Sequence, residues 1–247
     1  MHQLIREHFA PEFDLKELND SAVIDFSNSH ILQFTHSPIR LAFTTDSYVV
    51  SPIFFPGGNI GNLAVNGTVN DLSMVGAKPL YLSAAFIIEE GFPIADLNAI
   101  VFSMSEAAKI AGVRIAAGDT KVVDKGKGDG IFINTSGVGI VPEGISLSSK
   151  NIRGGDKIIV SGLIGNHGIA VLSERNGLSF EPSVLSDTAP LNGLVEFMFD
   201  ATSKSAINNS HSAIKMMRDP TRGGIATTLK EIAEESGLCF IVEEGSV

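Results

Sequence analysis

Short apolar runs rich in β-branched residues alternate along the chain with longer segments whose apolar positions recur every three to four residues, the pattern of mixed α and β structure. The short runs predict strands at residues 22–26, 40–45, 79–88, 113–117 and 131–141. Helical spacing of Ile60, Leu63, Ala64, Gly67, Asp71 and Met74 predicts a helix over 59–75, and Leu97, Val101, Met104, Ala108 and Ala111 predict another over 94–111. The run Lys125-Gly126-Lys127-Gly128-Asp129-Gly130 is turn chemistry and predicts a mobile hairpin tip. Pro, Gly, Ser and Asn then crowd into 142–156, where a domain boundary is expected, giving an N-terminal domain over 1–150 and a C-terminal domain over 151–247. The second domain reads as strands at 157–161, 213–218 and 238–242 and helices at 167–175 and 223–236. Five residues follow the last strand, too few for a covering layer, so this domain is expected to be incomplete.

Composition narrows the class. With 44% hydrophobic and 19% charged residues over 247 positions, the chain has ample material for a core, which argues against intrinsic disorder. A formal net charge of -10 argues against a general nucleic-acid binder. One cysteine, Cys239, cannot form an intramolecular disulfide, no zinc-type Cys/His spacing occurs, and a reducing, cytoplasmic setting is expected. No secretory signal pattern opens the chain, and Pro and Gly interrupt the longest uncharged stretch, 47–70, so no membrane association is expected.

Acidic residues inside apolar sequence are the most informative feature. Asp46, Asp119 and Asp219 each close a predicted strand, and Asp71 is the one charged residue in the helical pattern 59–75, on the small-residue face of Ala64 and Gly67. An Asp after a strand is commonly a helix cap or an Asx-turn residue, and that reading stands beside the functional one. Bare carboxylates about 4 Å apart repel by roughly 4 kcal/mol at an effective dielectric of 20, so convergence would call for cations. An all-oxygen set suits Mg²⁺ and hence phosphate chemistry, with Lys121 placed to reach a phosphate oxygen, although a surface lysine is the ordinary alternative. The stretch Pro56-Gly57-Gly58-Asn59-Ile60-Gly61 lacks both Walker and dinucleotide spacing. The stretch Gly162-Leu163-Ile164-Gly165-Asn166-His167-Gly168 reads as a tight turn, with His167 a turn or cap residue. No Ser/His/Asp relay is legible, Cys239 reads as an inert core thiol, and the pairs Glu89-Glu90, Glu234-Glu235 and Glu243-Glu244 read as solvated ends.

At longer range the motifs acquire a resemblance. Residues 45–58 (Thr-Asp-Ser-Tyr-Val-Val-Ser-Pro-Ile-Phe-Phe-Pro-Gly-Gly), Val69-Asn70-Asp71-Leu72, Gly76-Ala77-Lys78-Pro79, Gly118-Asp119-Thr120-Lys121-Val122-Val123 and Arg218-Asp219-Pro220-Thr221-Arg222-Gly223-Gly224 closely resemble the HypE family of hydrogenase maturation proteins. The likeness covers nearly the whole chain. Its shorter elements are shared with aminoimidazole ribonucleotide synthetase and selenophosphate synthetase, whereas the Phe-Phe-Pro-Gly-Gly and Gly-Asp-Thr-Lys-Val-Val runs select the HypE family.

The resemblance implies an α/β (α+β) two-domain fold of the aminoimidazole ribonucleotide synthetase type. Its N-terminal domains pair in a homodimer, closing a β-barrel with nucleotide in the adjoining cleft, and its C-terminal domain is an α/β sandwich. It implies ATP-dependent dehydration of a cysteine-bound carbamoyl group to a thiocyanate, the source of a cyanide ligand for the iron of NiFe hydrogenase. By matching positions, Asp46, Asp71, Asp119 and Asp219 are expected as Mg²⁺-phosphate ligands and Lys121 and Asp71 as catalytic groups. Ser47, Asn70, Gly118, Thr120 and Arg222 are expected to join Asp46, Asp71, Asp119, Lys121 and Asp219 in binding ATP. The implied partners are a carbamoyltransferase that donates the carbamoyl group and an iron-carrier complex that accepts the cyanide.

Two departures stand out. The family's His-Gly-Ser-Gly-Gly-type opening loop would precede the segment matching Met1–Arg6, and the family's terminal acceptor cysteine would lie beyond Val247; Cys239 does not match it. A truncated chain, inactive in the complete reaction, is therefore expected. The alternatives are a selenophosphate synthetase-like enzyme and a non-catalytic maturation scaffold.

Overall fold

The structure, a computed structural model, describes residues 21–25, 39–204, 214–221, 223–243 and 245. In chain order it contains β1 (Ala22–Asp25), β2 (Arg40–Tyr48), β3 (Phe54–Phe55), β4 (Gly58–Asn59), α1 (Ile60–Met74), β5 (Lys78–Glu89), α2 (Ile94–Ala111), β6 (Arg114–Val123), β7 (Ile131–Ile140), a 3-10 turn (Ser149–Asn151), α3 (Asn166–Asn176), α4 (Asn192–Lys204) and α5 (Gly224–Ser236). β3 and β4 form a small hairpin, and the other strands make one sheet in the order β1-β2-β7-β5-β6. The pairing is antiparallel except between β5 and β6, which run parallel and are joined through α2.

Helix α1 starts where Asn59 accepts the Gly61 N–H on its side chain while the Asn62 side chain accepts the Asn59 N–H, a reciprocal capping box. It ends at Val75, before Gly76 turns the chain with φ +73°. Its Ile60, Ala64, Val65 and Val69 bury against the sheet residues Leu82, Ala84, Ile131 and Ile133 and against Ile100 and Met104 of α2. The alternation of β7 follows from this packing, with Ile131, Ile133 and Thr135 buried under α1 and the intervening residues half-exposed. On the opposite face Phe43, Tyr81, Ile87 and Ile140 stay 42–48% exposed.

Several sequence expectations need correction. The glycine-rich run 125–130 is not a hairpin tip, because β5 lies between β6 and β7. The run crosses over the end of β5, where Glu89 pins it by accepting the Gly126 N–H at 2.6 Å and the Gly130 N–H at 3.4 Å. Turn chemistry marks where a chain reverses, not which strands pair. Nor is Glu89 simply a solvated end. Asp119 lies inside β6 rather than at its end, since parallel pairing with β5 carries the strand on to Val123.

In the expected second domain 157–161 and 238–242 carry no ladder, and neither do the described residues 214–218 of the third expected strand; residue 213 lies outside the described set. These runs have strand composition, but among the described residues no neighbouring strand pairs with them, and Ile159 and Ile241 are 86% and 82% exposed. Cys239 is correspondingly exposed and not a core thiol. Helix α4, unanticipated because Asn192-Gly193 reads as a turn, packs against α1 and β5, and Glu196 pairs with Lys78 at 3.4 Å.

A tight spot under α1 gives a stability test. A Cβ on Gly137 of β7 would lie 2.8 Å from Thr68 Cγ2, 2.9 Å from Leu72 Cδ1 and 3.0 Å from Leu82 Cδ2. Gly137→Ala is expected to destabilise by about 1–3 kcal/mol through overpacking, read as a lower urea midpoint at unchanged slope.

Candidate functional site

The pleat of the sheet decides where the sequence-selected residues go. Asp46, Thr135, Ala84 and Gly118 form one cross-strand row, and Ser47, Asn134, Ala85 and Asp119 form the next. Neighbouring rows face opposite sides. Thr135 is buried and donates to Ala64 O of α1 at 3.1 Å, so its row, with Asp46, is on the helix side. Ser47 and Asp119 therefore belong to the bare side. With β7 and β5 between them, β2 and β6 are about 14 Å apart, three strand spacings. One chain accordingly cannot bring Asp119 and Asp46 onto a single ion.

Asp71 meets β2 on the helix side, where its Oδ2 accepts the Thr44 hydroxyl at 3.1 Å. Between them a buried chain of hydroxyls has one consistent direction. Thr135 donates to Ala64 O, Thr68 to Thr135 at 2.5 Å, and Tyr48 to Thr68 at 3.3 Å. Burial, and then the negative charge of Asp46, hold the Tyr48 phenol far above its ordinary pKa, so it stays a neutral donor. Asp219, beyond the extended run 214–218, feels the charges of Asp46 and Asp187. Burial first, and those carboxylates next, push its pKa up to about 6.

Asp119 and Lys121 instead pair with each other on β6, at 2.6 and 2.7 Å from Nζ to the two carboxylate oxygens. The Lys121 ammonium, together with the Thr120 N–H, holds the Asp119 carboxyl below its usual range. Strand β6 is exposed almost throughout, and its outer edge has no strand partner among the described residues. Gly118 permits close strand approach, since a Cβ there would lie 2.8 Å from Ala84 O.

Asn70 has a positioning place in this structure. Its Nδ2 donates to Ala189 O at 3.0 Å and its Oδ1 accepts the Leu191 N–H at 2.7 Å. Asn66 Nδ2 donates to Thr188 Oγ1 at 3.3 Å, while its buried Oδ1 has no partner among the described residues. These side chains strap residues 186–191 along α1. The strap brings in Ser186 and Asp187, which no sequence motif marks. Ser186 Oγ lies 2.9 Å from His167 Nδ1, and Asp187 Oδ1 accepts the His167 N–H at 3.0 Å. A Ser-Asp-Thr run in a polar segment looks like any loop, and no local signal separates it from one. Arg222 lies outside the described residues.

The glycine stretches are structural. The Gly61 N–H is already taken by Asn59, and Gly57, at φ +90°, sits where a Cβ would strike Ser186 N at 2.7 Å. Among the described residues no three His, Cys, Asp or Glu side chains form a ready metal cluster, and no helix is long and apolar enough to cross a membrane.

Known proteins give this geometry a family. Models of AIR synthase related protein match the chain with the N-terminal domain at residues 19–141 and the C-terminal domain at 153–247. Carbamoyl dehydratase HypE of Bradyrhizobium diazoefficiens is 55% identical over 208 residues, 84% of this chain and 58% of that protein. In the crystal structure of a HypE-HypF complex, a chain 52% identical to this one superimposes with a TM-score of 0.82, covering 95% of this chain and 70% of its own. The chain belongs to the HypE family. A HypE crystal structure in complex with ATP is also similar, at 47% identity and TM-score 0.73 over 95% of this chain and 65% of its own. The chain thus has the α/β architecture of HypE and of AIR synthase related proteins, and it spans 58% of the B. diazoefficiens HypE.

Crowding of carboxylates in this HypE-family site has a measurable sign. The folded pKa of Asp219, about 6, lies above its unfolded value, so its contribution to stability is full at low pH and fades as pH rises through about 6. In chelator-treated protein, Asp219→Asn is expected to raise the melting temperature relative to wild type near pH 8, with the gain shrinking toward about pH 4.5. An equal gain at both pH values would show that Asp219 is not electrostatically strained.

Proposed function

We propose that this chain is the nucleotide-binding part of a carbamoyl dehydratase that converts a cysteine-bound carbamoyl group to a thiocyanate at the expense of ATP, for hydrogenase maturation. The observation that carries this reading is the placement of Asp71 and Asp46 on the helix side of the sheet, with Asp219 within reach of the Asp46 charge, in a chain that shares the HypE family's sequence and fold. The ATP complex of a HypE 47% identical to this chain supports ATP as the phosphoryl donor. The HypE-HypF complex supports a HypF-type carbamoyltransferase as carbamoyl donor. An iron-carrying maturation complex is proposed as cyanide acceptor, and the cytoplasm as the setting.

The donor set suits a hard divalent ion. Asp219 is strained by neighbouring negative charge, which a cation would relieve, and every candidate ligand is an oxygen. Asp46, Asp71 and Asp219 would hold Mg²⁺, which when bound neutralises phosphate charge. The Thr44 hydroxyl orients the Asp71 carboxylate, and the buried Tyr48–Thr68–Thr135 chain fixes α1 against β2 and β7. The strap held by Asn70 lays Asp187 beside Asp219.

Asp119 and Lys121 lie on the other side of the sheet at its open edge. They join the reaction if two N-terminal domains pair through that edge and the bare apolar face, closing a barrel and making the site from both copies. Such a homodimer is part of the proposal, as is the division into an N-terminal unit over 1–150 and a C-terminal unit over 151–247. Ser47, Gly118, Thr120 and Arg222 keep their proposed nucleotide contacts on the same basis. In the chemistry, the carbamoyl oxygen attacks the γ-phosphorus and ADP leaves. Loss of N–H protons then lets phosphate depart with the oxygen, leaving the nitrile.

Calorimetric titration with a non-hydrolysable ATP analogue tests the binding half. Mg²⁺-dependent binding is expected, and Asp71→Asn should weaken it about tenfold to a hundredfold, the value of one charge-assisted contact. Binding of equal strength by the variant would remove Asp71 from the site. For the reaction itself, a short peptide ending in S-carbamoylcysteine is supplied in trans with Mg-ATP and followed by mass spectrometry. Conversion to the thiocyanate peptide with matching ADP release is expected; ATP consumption indifferent to the peptide would overturn the assigned reaction.

A further inference from the structure

The run Ser51-Pro52-Ile53-Phe54-Phe55-Pro56-Gly57-Gly58 contains the Phe-Phe-Pro-Gly-Gly motif, to which the reaction proposed above gives no task. Its surroundings do not suit a phosphate loop. The Gly61 N–H is taken by Asn59, and the Ile60 N–H is donated to Ile53 O at 2.9 Å, so the amides an anion would need at the start of α1 are already satisfied. The run is gripped instead by side chains and backbone that lie more than a hundred residues later in the chain.

We propose that residues 51–58 are a socket that fixes α3 and the 186–191 strap over α1, with Arg175 and Gly57 as its positioning residues. Helix α3 is held at both ends. At its start the His167 ring meets Phe55 edge-on, 5.2 Å between centroids, and at its end the Arg175 guanidinium donates from Nε and Nη2 to Ser51 O at 2.8 and 2.5 Å. These attachments are eight residues apart on the helix, about 12 Å at its rise per residue, and four residues apart on the run, which can span up to about 13 Å. One attachment would leave the helix free to pivot, whereas two at that separation set its direction. The strap supplies a third. The Ser186 N–H donates to Pro56 O at 2.8 Å, and Gly57, at φ +90°, leaves room for that approach, since a Cβ there would lie 2.7 Å from Ser186 N and 3.0 Å from its carbonyl oxygen.

Helix and strap are also tied to each other, with Ser186 Oγ 2.9 Å from His167 Nδ1 and Asp187 Oδ1 accepting the His167 N–H at 3.0 Å. Socket, α3 and strap therefore close a ring of contacts around Ser186. From that ring the strap runs along α1, where Thr188 Oγ1 accepts from Asn66 at 3.3 Å and Asn70 holds Ala189 O and the Leu191 N–H at 3.0 and 2.7 Å. Asn70 is the chain neighbour of Asp71, so a displacement at the socket is carried along the strap to the helix turn that presents the Asp71 carboxylate to Thr44. The socket itself stands on these contacts alone. Its effect on turnover rests on the dehydratase reading, in which a misplacement of about 1 Å costs up to a hundredfold in rate.

The test compares wild type, Arg175→Gln, Arg175→Lys and Gly57→Ala by hydrogen–deuterium exchange, calorimetric binding of the ATP analogue and turnover of the S-carbamoylcysteine peptide with Mg-ATP. Arg175→Gln and Gly57→Ala are expected to speed exchange across 166–176 and 184–191 about tenfold, while 131–140 of β7 exchanges as in wild type and shows that the sheet is intact. Affinity for the analogue is expected to stay within about threefold, because Asp46 and Asp71 sit on β2 and α1, whereas kcat falls about tenfold. Arg175→Lys, which keeps the charge and a donor, is expected to recover part of that loss. Should Gly57→Ala lose protection in β7 as well, Arg175→Gln decides alone. Exchange across 184–191 that stays at the wild-type rate would overturn the socket, whatever the turnover. Faster exchange with kcat unchanged would overturn the positioning role. A wild type that binds the analogue but leaves the peptide unaltered would overturn the dehydratase reading, and exchange would still decide the socket.

Discussion

The burial of α1 on nearly all sides is the constraint from which the rest of the site follows. A helix that shows only one face to the core can leave its polar residues to water, but Asn66, Thr68 and Asn70 are all buried in α1 and must find partners within the protein. Each partner fixes a neighbouring element. Thr68 ties Tyr48 and Thr135 into one hydroxyl chain, Asn66 and Asn70 fasten the strap, and the half-buried Asp71 receives Thr44. A helix needing only apolar contacts would allow small sliding movements against the sheet. Hydrogen bonds with fixed partners and directions do not, which is why one helix can hold β2, β7 and the strap in register with one another.

The second constraint is the pleat. Successive strand residues face opposite sides, so motifs compact in sequence are divided in space. Asp46 and Ser47 part company, as do Gly118 and Asp119. A single chain therefore carries some of its motif carboxylates under its helices and another on an open edge facing away. This division, more than the exposure of any one apolar side chain, is what would give the proposed pairing of two copies a chemical purpose as well as a hydrophobic one.

What can be read from the sequence tracks how local the governing physics is. Helix α2 appears over the expected residues because its periodicity, Gly112 at its end and apolar face all lie within it. Asp71 is conspicuous because a charge on an otherwise apolar helix breaks a pattern. The crossover of 125–130, the length of β6 and the unpaired runs of the second domain are not legible, since each depends on which strand lies alongside. Asp187 and Ser186 are hidden for a related reason. Their importance comes from two asparagines more than a hundred residues earlier, and nothing in the strap's own composition announces it.

Electrostatics ties these constraints to function. Asp219 sits where burial and two other carboxylates oppose its ionisation, and Arg218 offsets that crowding only in part. A fold selected only for stability would replace one of these carboxylates, because a buried charge crowded by like charges is among the costliest features a protein can keep. In the proposed function the metal of Mg-ATP supplies the positive charge that offsets this crowding of Asp219. The asparagine strap, which carries Asp187, limits how far mutual repulsion can spread these carboxylates apart.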